Sequence, residues 1–433
     1  VMSTDKMSSQ SLPDAAAEAK RLAKEERRRL YNATKQDHEA KPKATKTERK
    51  VSQTKPSPAQ ASGAITAPPA CQPVSPLATC GGLFAHLPPF SKQSSQTLGI
   101  KIGAKTLIHP SFIALGLSIS KLVISGSNSR SVALLNSLKK LLNDYECPAG
   151  KSFSRHFEAL LKQHMQFLEK IRPLSVAMRN VAVEMSSAIS KLDPSVSNIQ
   201  AKKELYELIK RYSEERIIFA VNAIVKLAED KIKEGDVLLI FGRCHLIEEI
   251  LINAHNKGIA FRVIVVDCGP SFEGRQTLRR LVKECPLLEC SYVMIQSITF
   301  PMKEVTKVFL GATSMLANGA LQGRIGSAVV AVMAQTYHIP CIVCCETRKF
   351  SDNAQVDAIT MNELCDPDAL LARDGQEKLC EKLQECVNSP CFNVLNLAYD
   401  ITPANLITMV ITEVGCIPAT SVPIVTREFL KSM

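Results

Sequence analysis

The pattern of apolar and polar positions divides the chain into three stretches. From Thr106 to Lys233, apolar residues recur at three- and four-residue steps. Val132, Leu135, Leu138, Leu141 and Leu142 form one such series, and Phe157, Leu160, Leu161, Met165 and Leu168 form another. This spacing predicts amphipathic helices. A third helix is expected from Ser175 to Leu192, closed by Asp193-Pro194. A longer one from Gln200 to Lys233 mixes Leu205, Leu208, Ile209, Tyr212 and Ile217 with Lys and Glu. At Gly235 the period changes. DVLLIF (236–241), FRVIVVD (261–267), SYVMI (291–295), KVFLG (307–311) and CIVCC (341–345) are nearly continuous apolar runs, separated by helical stretches such as Arg275 to Lys283. Alternation of helices with strands apolar on both faces predicts a parallel, doubly wound sheet. Before residue 97 neither period is sustained. Asp14 to Gln36 could form a lone helix, but residues 37–96 are rich in Pro, Ser, Thr, Lys and Ala and cannot bury enough surface to offset ordering entropy. The expected architecture is therefore α/β: a disordered basic tail (1–96), a helical domain (97–233) and a Rossmann-like doubly wound parallel sheet domain (234–433).

Ligands of such sheets bind at the carboxyl ends of the strands. Those ends are Phe241-Gly242-Arg243, Val266-Asp267-Cys268-Gly269 and Leu310-Gly311-Ala312. The stretch Gly311 to Phe350 reads as a glycine-rich loop, a helix and a buried strand. Its loop amides and helix N-terminus suit an anion. Gly242, Arg243, Gly311, Asn318, Gly319 and Arg324 are the candidate lining of a phosphate pocket, with Arg243 open to the plainer reading of an exposed side chain on a βα loop. No Asp or Glu occurs between Val308 and Glu346, so the loop has no carboxylate for general acid or base work.

Several chemistries are excluded on pattern. Asp267 stands where dinucleotide-binding folds put a ribose-binding acid, but FGRCHLIEE carries one glycine where the fingerprint needs three. GALQGRIGS (319–327) lacks both the spacing and the GK[ST] ending of a P-loop. Cys341 and Cys344 match CxxC on paper, but on a strand their sulfurs face opposite sides and no second pair accompanies them, so neither zinc nor any other metal or cofactor is expected. The absence of Trp and the low aromatic content argue against stacked-ring binding of carbohydrate or single-stranded nucleic acid. No apolar run approaches the length of a membrane span. Fifteen cysteines lying mostly in apolar runs, with no secretory pattern at the start, point to reduced thiols in the cytosol. Residues 1–60 hold 14 Lys/Arg against 8 Asp/Glu. RNA contact by this basic tail is the less favoured reading beside simple solvation, and DNA binding is not expected.

Four segments together resemble one family. They are RPLSVAMRN (172–180), GATSMLANGALQGRIGS (311–327), IPCIVCCETRKF (339–350) and YDITPANLITMVITEVG (399–415). They are similar, in order and spacing, to the alpha, beta and delta regulatory subunits of eukaryotic translation initiation factor 2B, whose fold is shared with methylthioribose-1-phosphate and ribose-1,5-bisphosphate isomerases. VCCETRKF, DNAQVDAITMNELCDP (352–367), SISKLVISGSNSRSVALL (118–135) and the long basic extension resemble the delta branch. Where the isomerases carry a catalytic Asp this chain has Thr313, and their second acidic position is Ala320. Arg243 or Cys244 falls at their catalytic Cys.

The resemblance implies a non-catalytic regulatory subunit of a guanine-nucleotide exchange factor. It would assemble with alpha, beta, gamma and epsilon subunits into a decamer through its C-terminal α/β domain, and sense phosphorylation of the alpha subunit of initiation factor 2. Arg172, Arg179 and Arg211 are candidates to meet the phosphoserine, with Arg172-Pro173 read equally as a helix stop and start. Ile113, Leu115, Leu395 and Leu397 are expected near a small-molecule pocket at the junction with a beta subunit. The alternative is a sugar-phosphate isomerase of the same fold, which the loss of both loop acids disfavours.

Overall fold

A computed structural model describes residues 83–90, 108–193, 197–371 and 394–431, all within the compact unit Cys71–Met433. The expected tail and Pro194 lie outside the described residues, except for 83–90. These form a turn in which the Leu87 amide donates to the Phe84 carbonyl and the Leu87 side chain is buried.

The helical part comprises α1 (Pro110–Ser120), α2 (Ser127–Asp144), α3 (Phe153–Ile171), α4 (Val176–Ser190) and α5 (Asn198–Tyr212). The last continues through a π-helical turn, Ser213–Phe219, into α6 (Ala220–Glu229). The three- and four-residue spacing does its work here: Phe112, Leu134, Leu138, Leu161 and Met178 meet in one core. On α2 the expected Leu135, Leu138, Leu141 and Leu142 are buried together with Leu134, and of the expected series only Val132 stays exposed, at 40%. Ser175 and Ser197 cap α4 and α5, their hydroxyls accepting from the Met178 and Gln200 amides and so satisfying donors that each first turn leaves open. The long helix is shared between layers. Leu205 and Ile209 belong to the helical core, whereas Ile224 and Ala228 on α6 pack beneath the sheet.

The remaining elements are β1 (Val237–Phe241), α7 (His245–Asn256), β2 (Arg262–Asp267), α8 (Gly274–Glu284), β3 (Glu289–Met294), β4 (Lys307–Gly311), β5 (Ser314–Met315), β6 (Leu321–Arg324), α9 (Ser327–Thr336), β7 (Cys341–Cys344), α10 (Pro367–Leu371), β8 (Tyr399–Thr402), β9 (Met409–Thr412), β10 (Gly415–Ile417) and α11 (Val422–Lys431). The main sheet has the order β10-β9-β7-β4-β1-β2-β3, parallel except for β10. Its two faces bury separate cores, and β7 shows the alternation. Cys341 and Val343 face α9, and Ile342 and Cys344 face α6 and α7. The two sulfurs of the CxxC therefore lie on opposite sides.

Two expectations are corrected. β3 is an edge strand and half exposed, because it has one neighbour and not two. The glycine-rich stretch after β4 is not a plain loop. It holds β5 and β6, which form a small antiparallel sheet with β8. Strands of two to four residues are too short to leave a periodic signal.

The chain winds from β1 outward through β2 to β3, then returns to the other side of β1 with β4. The winding thus reverses between β1 and β4, and a crevice opens beyond their carboxyl ends.

Candidate functional site

A cavity of about 120 Å³ occupies that crevice. β1 contributes Phe241, Arg243 and Cys244 just beyond it, β4 leads into Gly311, Ala312 and Thr313, and β6 and α9 add Arg324 and Ser327. Lys349 closes it from beyond β7, and Ser125 to Ser129 at the start of α2 cover it from the helical side. Gly311 is required by close approach. A Cβ there would lie 2.4 Å from the Cys244 sulfur, which packs directly on the backbone.

The three Lys and Arg side chains lining the cavity each pair with a carboxylate of the same chain. Arg243 lies 3.5 Å from the buried Glu248 and donates to Gln276. Arg324 donates to Glu273 at 2.9 Å, and Glu273 itself lines the cavity. Lys349, buried, lies 2.6 Å from Glu346 and donates to the Ala312 carbonyl at 3.2 Å. Burial alone would push the Glu346 carboxyl up, but Lys349 and Arg348 hold it well below the usual carboxylate range. Glu346 in turn keeps the Lys349 ammonium charged. The helical part joins this cluster through Asn128, which donates to Glu346 at 2.5 Å and accepts from Arg348 at 2.5 Å. Asn180 donates to the Arg348 and Phe350 carbonyls at 2.9 and 3.0 Å.

Proton-moving groups are correspondingly quiet. Burial pushes the Cys244 thiol up, and Lys349 offsets this only in part. Cys244 thus stays protonated at neutral pH. Thr313, which lines the cavity, offers a hydroxyl and no carboxylate.

The helix N-terminus expected to receive an anion is occupied from within. Asp400, on β8, accepts from the Gly326 and Ala328 amides at 2.7 and 3.0 Å and caps α9. Burial raises its pKa to about 6 against these two bonds. Asp267, the last residue of β2, accepts from the Cys268 amide and the Tyr292 hydroxyl.

The expected phosphate-pocket residues divide. Arg243, Gly311 and Arg324 line the cavity, and Gly242 lies between two lining residues, Phe241 and Arg243, without lining it itself. Asn318 and Gly319 are not among the residues that line it. Asn318 is exposed and donates to the Gln355 carbonyl at 2.6 Å, and Gly319 turns at φ +76° against the Ala419 carbonyl. The three expected phosphoserine contacts are not gathered either. Arg172 is buried and forms an ion pair with Glu363, so it is closed to a partner. Arg179 is partly exposed, 3.8 Å from Glu169. Arg211 is exposed in a groove between α4 and α5, beside Glu184, Glu204 and Glu207. Of the expected small-molecule contacts, Leu115 is buried in the helical core, whereas Ile113 is half-buried and Leu395 exposed. Leu397 bridges Leu364, next to Glu363.

Sequence reasoning missed Asn128, Glu273, Glu346, Arg348, Lys349 and Asp400. One signal was available. The charged run ETRK follows directly on the buried CIVCC, and charges entering a core must be paired.

This geometry, a doubly wound sheet under a helical layer with its crevice at the β1/β4 reversal, coincides with a sequence match. Residues 123–419 match the Initiation factor 2 subunit family, and the chain belongs to it. Translation initiation factor eIF2B subunit delta from Dictyostelium discoideum is 39% identical over 355 residues, covering 81% of this chain and 57% of that protein. The delta subunit from Schizosaccharomyces pombe is 39% identical over 324 residues, covering 74% and 69%. A ribose 1,5-bisphosphate isomerase from Pyrococcus furiosus is 26% identical, covering 62% and 80%. Among solved structures, that of the tetrameric eIF2B-beta2-delta2 complex from C. thermophilum superposes with a TM-score of 0.65 at 29% identity, covering 76% of this chain and 97% of that one. Within its family the chain belongs with the delta subunits of eIF2B.

Proposed function

We propose that the chain is a regulatory, non-catalytic subunit of the guanine-nucleotide exchange factor for translation initiation factor 2, acting in the cytosol. In this reading it assembles with alpha, beta, gamma and epsilon subunits, and the exchange chemistry resides elsewhere in the complex. It senses phosphorylation of the substrate's alpha subunit and so serves the integrated stress response. The observation that carries the non-catalytic part is the state of the cavity. Acid–base catalysis needs a group that can take and return a proton near the working pH. Here the thiol is pushed up, the acid position is Thr313 and Glu346 is fixed as a carboxylate by its cations.

The assembly part rests on relatives, since the C. thermophilum structure pairs delta with beta. Arg179 and Arg211 remain the candidates for phosphoserine recognition through charge-assisted hydrogen bonds. Arg172 is better assigned to holding Glu363. Ile113, Leu395 and Leu397 remain candidates for a pocket shared with a beta subunit.

The test is reconstitution. Co-expressed with the other four subunits, the chain should co-purify with them and restore exchange on initiation factor 2, and that activity should fall when the substrate's alpha subunit is phosphorylated. A chain that stays monomeric and leaves exchange unchanged would reject the proposal.

A further inference from the structure

Residues 83–90 form a turn that meets a distant part of the chain through His86. The His86 imidazole Nε2 reaches the Ile359 carbonyl at 3.0 Å and the Thr360 carbonyl at 3.2 Å, across more than 270 residues of chain. Leu87, beside it, is only 8% exposed, whereas Leu83 and Phe90 at the ends of the turn are open. The surface it meets is pre-shaped. Asp357 accepts from the Ile359 and Thr360 amides, both at 2.8 Å, and from the Thr360 hydroxyl at 3.0 Å. With those amides turned inward to Asp357, the two carbonyls remain for an outside donor.

What lies behind this turn gives the contact its meaning. Asn362 donates to the Ala358 and Tyr399 carbonyls, both at 2.8 Å, and ties the turn to β8. The next residue, Glu363, holds Arg172 in the buried ion pair that joins the end of α3 to this segment. Arg172 also reaches the Ile119 carbonyl at 3.5 Å.

We propose that residues 83–90 are an intramolecular strap, anchored by His86 and Leu87, that fastens the N-terminal extension to the Asp357 turn and steadies that turn and the Glu363–Arg172 pair behind it. Whatever pulls on, modifies or covers the extension is then felt where the helical and sheet parts meet. An exposed hydrogen bond and one buried Leu make a reversible fastening and not a permanent one.

Hydrogen–deuterium exchange on the full chain tests this, read at peptides spanning residues 356–363. His86→Ala and Leu87→Ser should each speed exchange there about tenfold, since losing the bond or the anchor lets the turn open more often. His86→Gln, which keeps an amide donor at this position, should restore much of the protection, and a merely disrupted fold would show no such rescue. Peptides of β1 and β4 serve as the internal control for global folding and should be unchanged. Equal exchange at 356–363 in the wild type and both disrupting variants would overturn the strap. So would acceleration spread uniformly over the whole chain.

Discussion

The buried lysine at the cavity and the exposed arginines of the helical layer put their charges to opposite use. At the cavity, Lys349, Arg324 and Arg243 each meet a carboxylate of their own chain, and Lys349 and Glu346 are buried together. On the helical layer, Arg179 is 3.8 Å from Glu169 with its side chain 42% exposed, and Arg211 is exposed. A desolvated pair is fixed, because parting it leaves a charge without water or partner. An exposed charge changes partners at little cost. The crevice therefore keeps the shape of an anion site whose buried cation, Lys349, is fixed to Glu346 from within, while Arg243 at its rim, 41% exposed, is as open to solvent as Arg179.

That contrast is broken most directly at the buried pairs. Arg172→Ala leaves Glu363 without its cation in a nearly closed site, and the expected loss is about 3–5 kcal/mol in denaturant unfolding. Glu346→Gln should be comparable, and the double change Glu346→Gln with Lys349→Met should recover part of the loss. Asp400 sharpens the account through pH. Its folded-state pKa of about 6 lies above the ordinary 3.8, so the fold retains a proton that the unfolded chain has released between roughly pH 4 and 6. Its contribution to stability therefore falls as the pH rises through that window. Asp400→Asn, which keeps an acceptor for the Gly326 and Ala328 amides, should remove a pH dependence on the order of 2–3 kcal/mol when unfolding is followed across it. Gly311→Ala, which drives a methyl against the Cys244 sulfur, is expected to cost about 1–3 kcal/mol in the same assay. Arg211→Ala should change stability by less than about 0.5 kcal/mol. A large effect there would erase the distinction between the two regions.

The sequence carried the layers and most strands because they rest on long periodic segments. KVFLG was bounded as β4 residue for residue, and CIVCC as β7 to within one. Its failures have physical causes. β5, β6 and β8 are too short for a period, and β6 pairs with β8 across some eighty residues of sequence. The cavity's position followed from the strand ends, but the pairing of its charges did not. Glu273 and Glu346 come from separate elements and meet the cavity's cations only in the fold. Arg172 shows the reverse error. Its place between two helices invited a partner-facing role, and only the position of Glu363 shows that it is held from within.

The central claim, that the crevice retains architecture without proton-moving groups, is tested by incubating the purified chain with ribose 1,5-bisphosphate and following aldose–ketose conversion. The account predicts no turnover above the buffer rate, for the wild type and for Cys244→Ala alike. Measurable turnover that disappears in Cys244→Ala would contradict it.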